Sequence, residues 1–429
     1  MAIHVVGPGD TLWAISQKYN SSIQLIVEVN GLESANLVPG VALYIPDDNL
    51  VNRFYRIQGG DTLSRIAVQF NTSIENIIAA NPGIDPNRLF IGQSITIPSP
   101  NNPQVATLGF AVPYYPQTII SYLENLADNL TYLAIVSYTM TDEGYAYVLL
   151  EDREIIARSK ELNVSPLLMI RNYRNGDFSA ELIGRVLESP TYRRNLVLSI
   201  ANLARQRGYD GVSIDFEFIP PPRRNDFNTF LAEIKSELGN LILHVNVHAK
   251  TEDIPTNRII GAYDYSSIGL IADIVAVMTI DYGYPTGPPD PVAPYWWIEQ
   301  VIRYSITQIN PRKLQIALPL YGYEKIVPPT AHSYTTKSLS VLAAQNLSIT
   351  NGISVQYDMM AASPWYSYWS GANEHVIWYE DIRSYVEKLK LVDLYQLLGV
   401  TFWQLSFPSP QLWAYMDRNI DTLKVRRLD

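Results

Sequence analysis

One short segment of this sequence carries two carboxylates at a spacing suited to proton transfer. Residues 209–217 read YDGVSIDFE and fit a β-strand. Side chains of a strand alternate between its two faces, so Ser213, Asp215 and Glu217 share one face and the other face is apolar. Two carboxylates that close repel each other when both are ionised, which drives their pKa values apart. One can stay protonated as a general acid while the other remains ionised, so the segment predicts acid and base catalysis.

Such residues need a scaffold that brings strand ends together, and the sequence after residue 105 predicts one. Eight short apolar runs alternate there with helical stretches, namely ATLGFAV, LAIVSYT, PLLMIRN, GVSIDFEF, LILHVNVH, DIVAVMTI, LQIALPLY and LLGVTFWQ. This pattern is typical of parallel strands covered on both faces, and it predicts an α/β fold with a (β/α)8 barrel over residues 106–429. The stretch between Tyr323 and Trp378 is too long for a plain loop. We therefore expect a small inserted α+β subdomain at about 325–377.

The first hundred residues contain an internal repeat. The segment HVVGPGDTLWAI aligns with YRIQGGDTLSRI, and matching positions lie 51 residues apart. Each copy reads as strand, helix, helix, strand, with an Asp-Thr pair before the first helix as an N-cap candidate. We place module 1 at residues 1–49 and module 2 at 52–98. The Pro- and Asn-rich stretch at 99–105 has the composition of a linker.

The repeated motif GDTL…N…G…IP resembles the LysM module, a βααβ unit that binds glycans containing N-acetylglucosamine. The resemblance implies a shallow sugar groove between the GDTL loop and the loop after the second helix. The residues that it assigns to glycan binding are Gly9, Asp10, Thr11, Leu12, Asn30, Gly60, Asp61, Thr62, Leu63 and Asn81. For the two aspartates and the two asparagines, a role in shaping the fold alone is the simpler interpretation.

The catalytic segment resembles the DGxDxDxE signature of glycoside hydrolase family 18, and the resemblance extends along the whole barrel. It implies that Glu217 is the general acid/base and that Asp215 orients the acetamido group of the substrate. Asp210 matches the first, structural aspartate. The family uses no protein nucleophile, because the N-acetyl oxygen of the substrate attacks the anomeric carbon and gives an oxazolinium intermediate with net retention. The resemblance thus implies hydrolysis of N-acetylglucosaminyl bonds.

Two positions depart from the family pattern. The middle aspartate of the signature is Ser213 here, which can donate a hydrogen bond but carries no charge, and we interpret it as tuning. Residues 277–282 resemble the strand-six motif MxYD, with Ile280 in place of the tyrosine that holds the acetamido oxygen. Met278 and Tyr282 share the parity of Ile280 on this strand, so we expect Tyr282 to reach back and supply the hydroxyl. The alternative is that Tyr282 only packs in the groove.

Other substrate-binding residues are assigned by resemblance or by position. Trp403 matches the tryptophan that floors the −1 sugar site. Tyr321 matches a family turn at strand seven, where a structural role is an equal alternative. The residues assigned by position are Met278, Asp281, Asn172 and Trp378, with Trp296 and Trp297 as groove aromatics or core residues.

The composition of the chain argues against several classes of binding partner and cofactor. The net charge of −10 and the pI near 5.1 argue against nucleic acid and against an anionic bilayer, and no apolar stretch is long enough to span a membrane. The absence of cysteine excludes disulfides and thiolate metal sites. Of the five histidines, His244 and His248 are four apart on a strand, a geometry that does not make a helical metal pair. We predict neither a metal nor another cofactor, and a monomer is the simplest expectation.

Two LysM modules before this barrel, with no signal peptide in MAIHVVGPGDTLWAI, resemble the spore cortex-lytic N-acetylglucosaminidases of the family. The resemblance implies peptidoglycan strands or muropeptides as substrate and a location in the spore cortex or coat region. Two alternatives stay open, a chitinase acting on chitooligosaccharides and a non-catalytic glycan-binding protein. Because tethering raises the local concentration of enzyme without altering the transition state, we expect removal of residues 1–98 to weaken wall binding and to leave hydrolysis of soluble fragments nearly unchanged.

Overall fold

The two repeats fold alike in the computed structural model, which describes residues 2–47, 50–329 and 334–425. In each, an antiparallel strand pair flanks two helices. Module 1 comprises β1 (Ala2–Val5), α1 (Leu12–Tyr19), α2 (Ile23–Asn30) and β2 (Ala42–Ile45). Module 2 comprises β3 (Val51–Arg56), α3 (Leu63–Gln69), α4 (Ile74–Ala80) and β4 (Ser94–Ser99). The predicted βααβ order is confirmed.

The GDT motif begins the first helix of each module. The side chains of Thr11 and Thr62 each accept a hydrogen bond from the backbone N–H three residues later, at 3.1 and 3.2 Å. This is the N-cap bond. Asp10 and Asp61 turn the other way and accept from the N–H three residues earlier, at 2.8 and 2.7 Å. Gly9 and Gly60 adopt φ near +87°, which a side chain would strain, and Leu12 and Leu63 are buried.

The asparagine at the end of the second helix ties that helix to the second strand. The Asn30 amide donates to the carbonyls of Ile26 and Tyr44 at 2.8 and 2.9 Å and accepts from the Tyr44 N–H at 2.7 Å. Asn81 repeats the arrangement in module 2 with Ile77 and Thr96, the second of which lies one residue further along than Tyr44 does from Asn30. These contacts support the fold-shaping interpretation of both residues.

From Gln104 onward the chain alternates strands and helices. The elements before the insertion are β5 (Gln104–Ala111), α5 (Pro116–Leu126), β6 (Tyr132–Met140), β7 (Ala146–Val148), α6 (Arg153–Glu161), β8 (Ser165–Arg171), β9 (Tyr173–Arg174), β10 (Asp177–Phe178), α7 (Ala180–Glu188), α8 (Pro190–Arg207), β11 (Gly211–Asp215), α9 (Arg224–Leu238), β12 (Ile242–His248), α10 (Tyr265–Ile271), β13 (Ile274–Met278), α11 (Tyr295–Ser305) and β14 (Leu314–Pro319). None of the helices in the described ranges has the length and apolarity needed to cross a membrane.

A second, antiparallel sheet is inserted after β14. It comprises β15 (Tyr321–Val327), β16 (Thr335–Ser340), β17 (Gln356–Asp358), β18 (Ser363–Ser370) and β19 (Asn373–Trp378), with α12 (Val341–Thr350) between its strands. The chain then completes the barrel with α13 (Ile382–Leu394), β20 (Gly399–Trp403), α14 (Pro410–Asn419) and β21 (Asp421–Thr422). Eight parallel strands close in the order β5, β6, β8, β11, β12, β13, β14, β20, and β20 returns to β5. The predicted barrel with an α+β insertion is confirmed.

Module 1 packs directly against the barrel unit. Its apolar side chains belong to the same continuous core as those of the barrel helices. The Gln411 side chain on α14 donates to the Asn30 side chain and to the Ala42 carbonyl, both at 2.8 Å. A Cβ at Gly40 would lie 1.8 Å from the Val355 carbonyl oxygen, so only glycine lets these backbones meet. The sequence pattern did not predict this direct contact between module 1 and the barrel unit.

Module 2 has a small core of its own and a polar attachment. Arg53 and Asp393 of α13 form a two-pronged ion pair at 2.8 and 3.0 Å, and Asp393 also accepts from the Phe54 N–H at 2.7 Å. Only four residues separate β4 from β5, so residues 100–103 alone lie between the strands.

Candidate active site

The predicted alternation holds within β11, which ends at Asp215, before the predicted strand end at Glu217. Val212 and Ile214 of β11 are fully buried on the helix side, and Ser213 and Asp215 occupy the inner face. Glu217 follows two residues beyond the end of β11, at the carboxyl end of the barrel strands. Active sites of such barrels are built at this end.

Asn172 holds the backbone of Glu217. Its side-chain oxygen accepts from the Glu217 N–H at 2.9 Å, and its amide nitrogen donates to the Glu217 carbonyl at 2.9 Å and to the Ser179 carbonyl at 3.0 Å. Asn172 is fully buried. The structure thus places this buried residue behind Glu217, where it holds the Glu217 backbone, and not in the groove where a sugar could touch it.

Asp215 is a buried carboxyl that lies near both a negative and a positive side chain. Burial raises its pKa well above the usual range, the charge of Glu217 raises it further, and the Arg171 guanidinium opposes both. Arg171 is the register partner of Asp215 on the neighbouring strand β8. The aspartate therefore binds a proton more readily than an exposed carboxyl, and Glu217 and Asp215 repel each other when both are ionised.

Ser213 belongs to a neutral network beneath Asp215. Its hydroxyl lies 2.9 Å from His244 Nδ1 and accepts from the Asn246 amide at 3.1 Å. Burial lowers the pKa of His244 to about 3, so this imidazole is uncharged at neutral pH. The serine therefore sits in a polar but uncharged layer. Among the described residues, no three His, Asp or Glu side chains converge as metal ligands, and His332 lies outside the described ranges.

His248 approaches Glu217 from the next strand. It is the last residue of β12, and its Nε2 lies 3.2 Å from Glu217 Oε2. The two side chains are 19% and 17% exposed. An imidazole and a carboxyl at this distance can interact electrostatically.

The segment after β13 does not continue as a strand. β13 ends at Met278, and Asp281 adopts a left-handed φ of 58°, so the parity argument that placed Tyr282 beside Ile280 does not hold. The Tyr282 ring is 36% exposed and packs against the indoles of two residues in the first turn of α11, Trp296 at 5.1 Å and Trp297 at 5.4 Å between ring centroids. These contacts favour the packing alternative for Tyr282.

Asp281 is anchored by two tyrosines of β15, the first strand of the insertion. The buried hydroxyls of Tyr321 and Tyr323 both donate to Asp281 Oδ1, at 2.6 and 2.8 Å. Tyr321 thus acts on the site through Asp281. Trp403 ends β20 at the rim of the barrel, where its ring packs on Phe110 at 5.3 Å.

Two other predicted residues lie apart from this centre. Asp210 precedes β11 at its amino end, and one of its oxygens lies 3.9 Å from the Lys160 ammonium. Five strand residues, about 16 Å, separate it from the catalytic end. Trp378 stacks on Trp365 at 5.6 Å and donates its indole N–H to the Pro289 carbonyl at 2.7 Å, which ties the insertion to the loop after β13.

Sequence reasoning missed Arg171 and His248 as members of the site. Both are the last residues of barrel strands that the apolar runs located correctly. A charged or titratable residue at the carboxyl end of a barrel strand is the signal that could have identified them.

Comparisons with known proteins agree with this geometry. The model of the glycosyl hydrolases family 18 matches residues 112–407, and the LysM domain model matches 4–46 and 55–98. YdhD of Bacillus subtilis, named as a candidate sporulation-specific glycosylase, is 36% identical over 96% of this chain and 98% of its own. A cortical fragment-lytic enzyme of the same species is 30% identical over 87% of this chain and 99% of its own. The crystal structure of the Bacillus cereus spore cortex-lytic enzyme SleL superposes with a TM-score of 0.85 at 28% identity, covering 99% of both chains.

Proposed function

Because this chain belongs to the glycosyl hydrolases family 18 and carries two LysM domains, we propose that it cleaves N-acetylglucosaminyl bonds of bacterial spore peptidoglycan or its fragments. The observation that carries the proposal is the carboxylate pair of Asp215 and Glu217 at the carboxyl end of β11. The relatives named for cortex lysis and sporulation support a peptidoglycan substrate and a spore location. The LysM modules supply contact with the wall.

Two groups of this chain carry the reaction. Glu217 donates its proton to the glycosidic oxygen as the bond to the anomeric carbon breaks, while the substrate acetamido oxygen bonds to that carbon. Asp215 accepts the acetamido N–H, and this hydrogen bond favours its ionised form. The proton of the pair is then left on Glu217, where the leaving group needs it. Water opens the oxazolinium ring and gives its proton to Glu217, so the configuration is retained and the enzyme is restored.

The test is Glu217→Gln, compared with Glu233→Gln on the outer helix α9 as a matched carboxyl-to-amide control. Muropeptides and chitooligosaccharides are assayed in parallel with mass detection of products, and the anomeric configuration is followed by NMR. We expect turnover of the Glu217 variant to fall at least about 10²-fold, the low end for loss of a general acid/base, and the control to stay near wild type. Near-normal turnover of the Glu217 variant would overturn the assignment, and cleavage of chitooligosaccharides alone would replace it with a chitinase.

A further inference from the structure

The His248 imidazole forms a close contact with the carboxyl group of Glu217. Its Nε2 is enclosed by protein, 3.2 Å from Glu217 Oε2, with no aligned hydrogen-bond partner within the described part of the chain. The rings of Phe218 and Tyr263 lie 5.5 Å from the imidazole centroid and hold its plane. The ring is therefore fixed with one nitrogen facing the acid/base.

Other charges surround the pair without competing for that nitrogen. Asp215 is the last residue of β11, two positions before Glu217, and interacts with it electrostatically, and Arg171 on β8 faces Asp215. Asp281, after β13, is within electrostatic range of both Glu217 and His248, and its carboxyl is already bonded by two tyrosine hydroxyls. The Tyr263 hydroxyl donates to the Phe216 carbonyl at 2.7 Å. Within the described part of the chain, the close polar contact of His248 Nε2 is therefore the one to Glu217 Oε2, at 3.2 Å.

We propose that His248 is the proton partner of Glu217, such that the two side chains share one proton and the site works only while the imidazole is neutral. The inference rests on the proposed function, in which Glu217 is the acid. A second proton, bound by His248, places a positive charge 3.2 Å from Glu217. Positive charge also develops on the sugar ring and acetamido group in the transition state, and like charges in one site oppose each other. Proton uptake by His248 therefore switches the site off on the acid side.

The experiment compares kcat/KM against pH for wild type and His248→Gln. The substrate is a soluble muropeptide, because a sugar leaving group needs the proton of Glu217 whereas an aryl leaving group departs without it. Glutamine keeps an amide N–H near Glu217 but cannot take up a proton. In wild type we expect the fall of kcat/KM at low pH to reflect the uptake of two protons, one by Asp215 and one by His248. In the variant we expect it to reflect one proton, taken up by Asp215. On a plot of log kcat/KM against pH, the limiting slope of the acid limb should therefore fall from two in wild type to one in the variant.

His375→Gln is the matched control. His375 on the insertion sheet faces Glu324 at 2.8 Å, a second imidazole–carboxylate pair outside the site, and its loss should leave the pH profile unchanged. If His248→Gln fails to fold, His248→Asn and the slope of the wild-type acid limb carry the same test. Superimposable profiles of wild type and variant, or a wild-type limb that follows one proton, would overturn the inference. If Glu217→Gln keeps its activity, the proposed function fails; if it is inactive and the profiles superimpose, only the role of His248 fails.

Discussion

Replacement of Asn172 by alanine tests whether its hydrogen bonds to the Glu217 backbone hold the proposed acid/base in position. The side chain satisfies three backbone groups, the N–H and carbonyl of Glu217 and the carbonyl of Ser179, at 2.9, 2.9 and 3.0 Å. A buried polar group left without its partner costs about 1–3 kcal/mol. Water entering the space left by the amide recovers part of that loss. We therefore expect the free energy of unfolding, measured by urea titration, to fall by about 3 kcal/mol.

The same change should lower turnover far more than substrate binding. Glu217 lies beyond β11, so no strand pairing holds its backbone and the amide of Asn172 does. A misplacement of about 1 Å in a catalytic group can reduce the rate about 10²-fold. We expect kcat on soluble muropeptides to fall about 10²-fold and KM to stay within about threefold, because the fully buried Asn172 cannot touch the sugar. The assay is run under conditions in which circular dichroism shows that the variant is folded.

Asn419→Ala provides the matched control. Its buried amide donates to the Tyr415 carbonyl at 2.8 Å and to the Tyr44 hydroxyl at 3.2 Å, at the end of α14 and away from Glu217. We expect a similar loss of stability with normal kcat per folded molecule. The reasoning is refuted if Asn172→Ala loses activity only in proportion to its unfolded fraction, or if it raises KM and leaves kcat unchanged.

Two predictions concern residues whose interpretation the structure changed. Tyr282→Phe should leave kcat and the affinity for a thiazoline analogue of the intermediate within about twofold of wild type, or ~0.4 kcal/mol, because the ring contacts with Trp296 and Trp297 persist. A larger fall in both would show that the hydroxyl holds the acetamido oxygen. Removal of residues 1–49 should lower the urea midpoint and reduce turnover of soluble muropeptides, because it uncovers core shared with the barrel. An unchanged midpoint and turnover would show that module 1 is separable.

The barrel could be predicted because its strands are buried on both faces. A strand in that position is a continuous apolar run, and all eight runs coincide with strands of the closed sheet. The catalytic face followed from alternation alone, since Ser213 and Asp215 could only share a side of β11. These are local properties, set by residues within one strand.

The rest of the site depends on contacts between segments that are far apart in the chain. The bond between Asn172 and Glu217 joins residues 45 positions apart, and nothing near Asn172 in the sequence indicates it. The failure at Tyr282 has a local cause of a different kind. Asp281 adopts a left-handed φ of 58°, and two tyrosine hydroxyls from beyond β14 stabilise it there. The extended backbone therefore ends before Tyr282, so Tyr282 and Ile280 do not share a strand face.

The two modules show most clearly why a repeat in sequence does not fix a repeat in role. Gly40 and Gly92 occupy matching positions, yet a Cβ at Gly40 would collide with the Val355 carbonyl whereas one at Gly92 would meet nothing within 4 Å. Asn30 and Asn81 close their own modules identically, but only Asn30 accepts a bond from Gln411, 381 residues away. The difference is set by the barrel surface and not by the modules. Substitutions at these matching positions therefore test different properties. We expect a substitution at Gly40 or Asn30 to lower the stability of the barrel unit, and one at Gly92 or Asn81 to leave that stability unchanged.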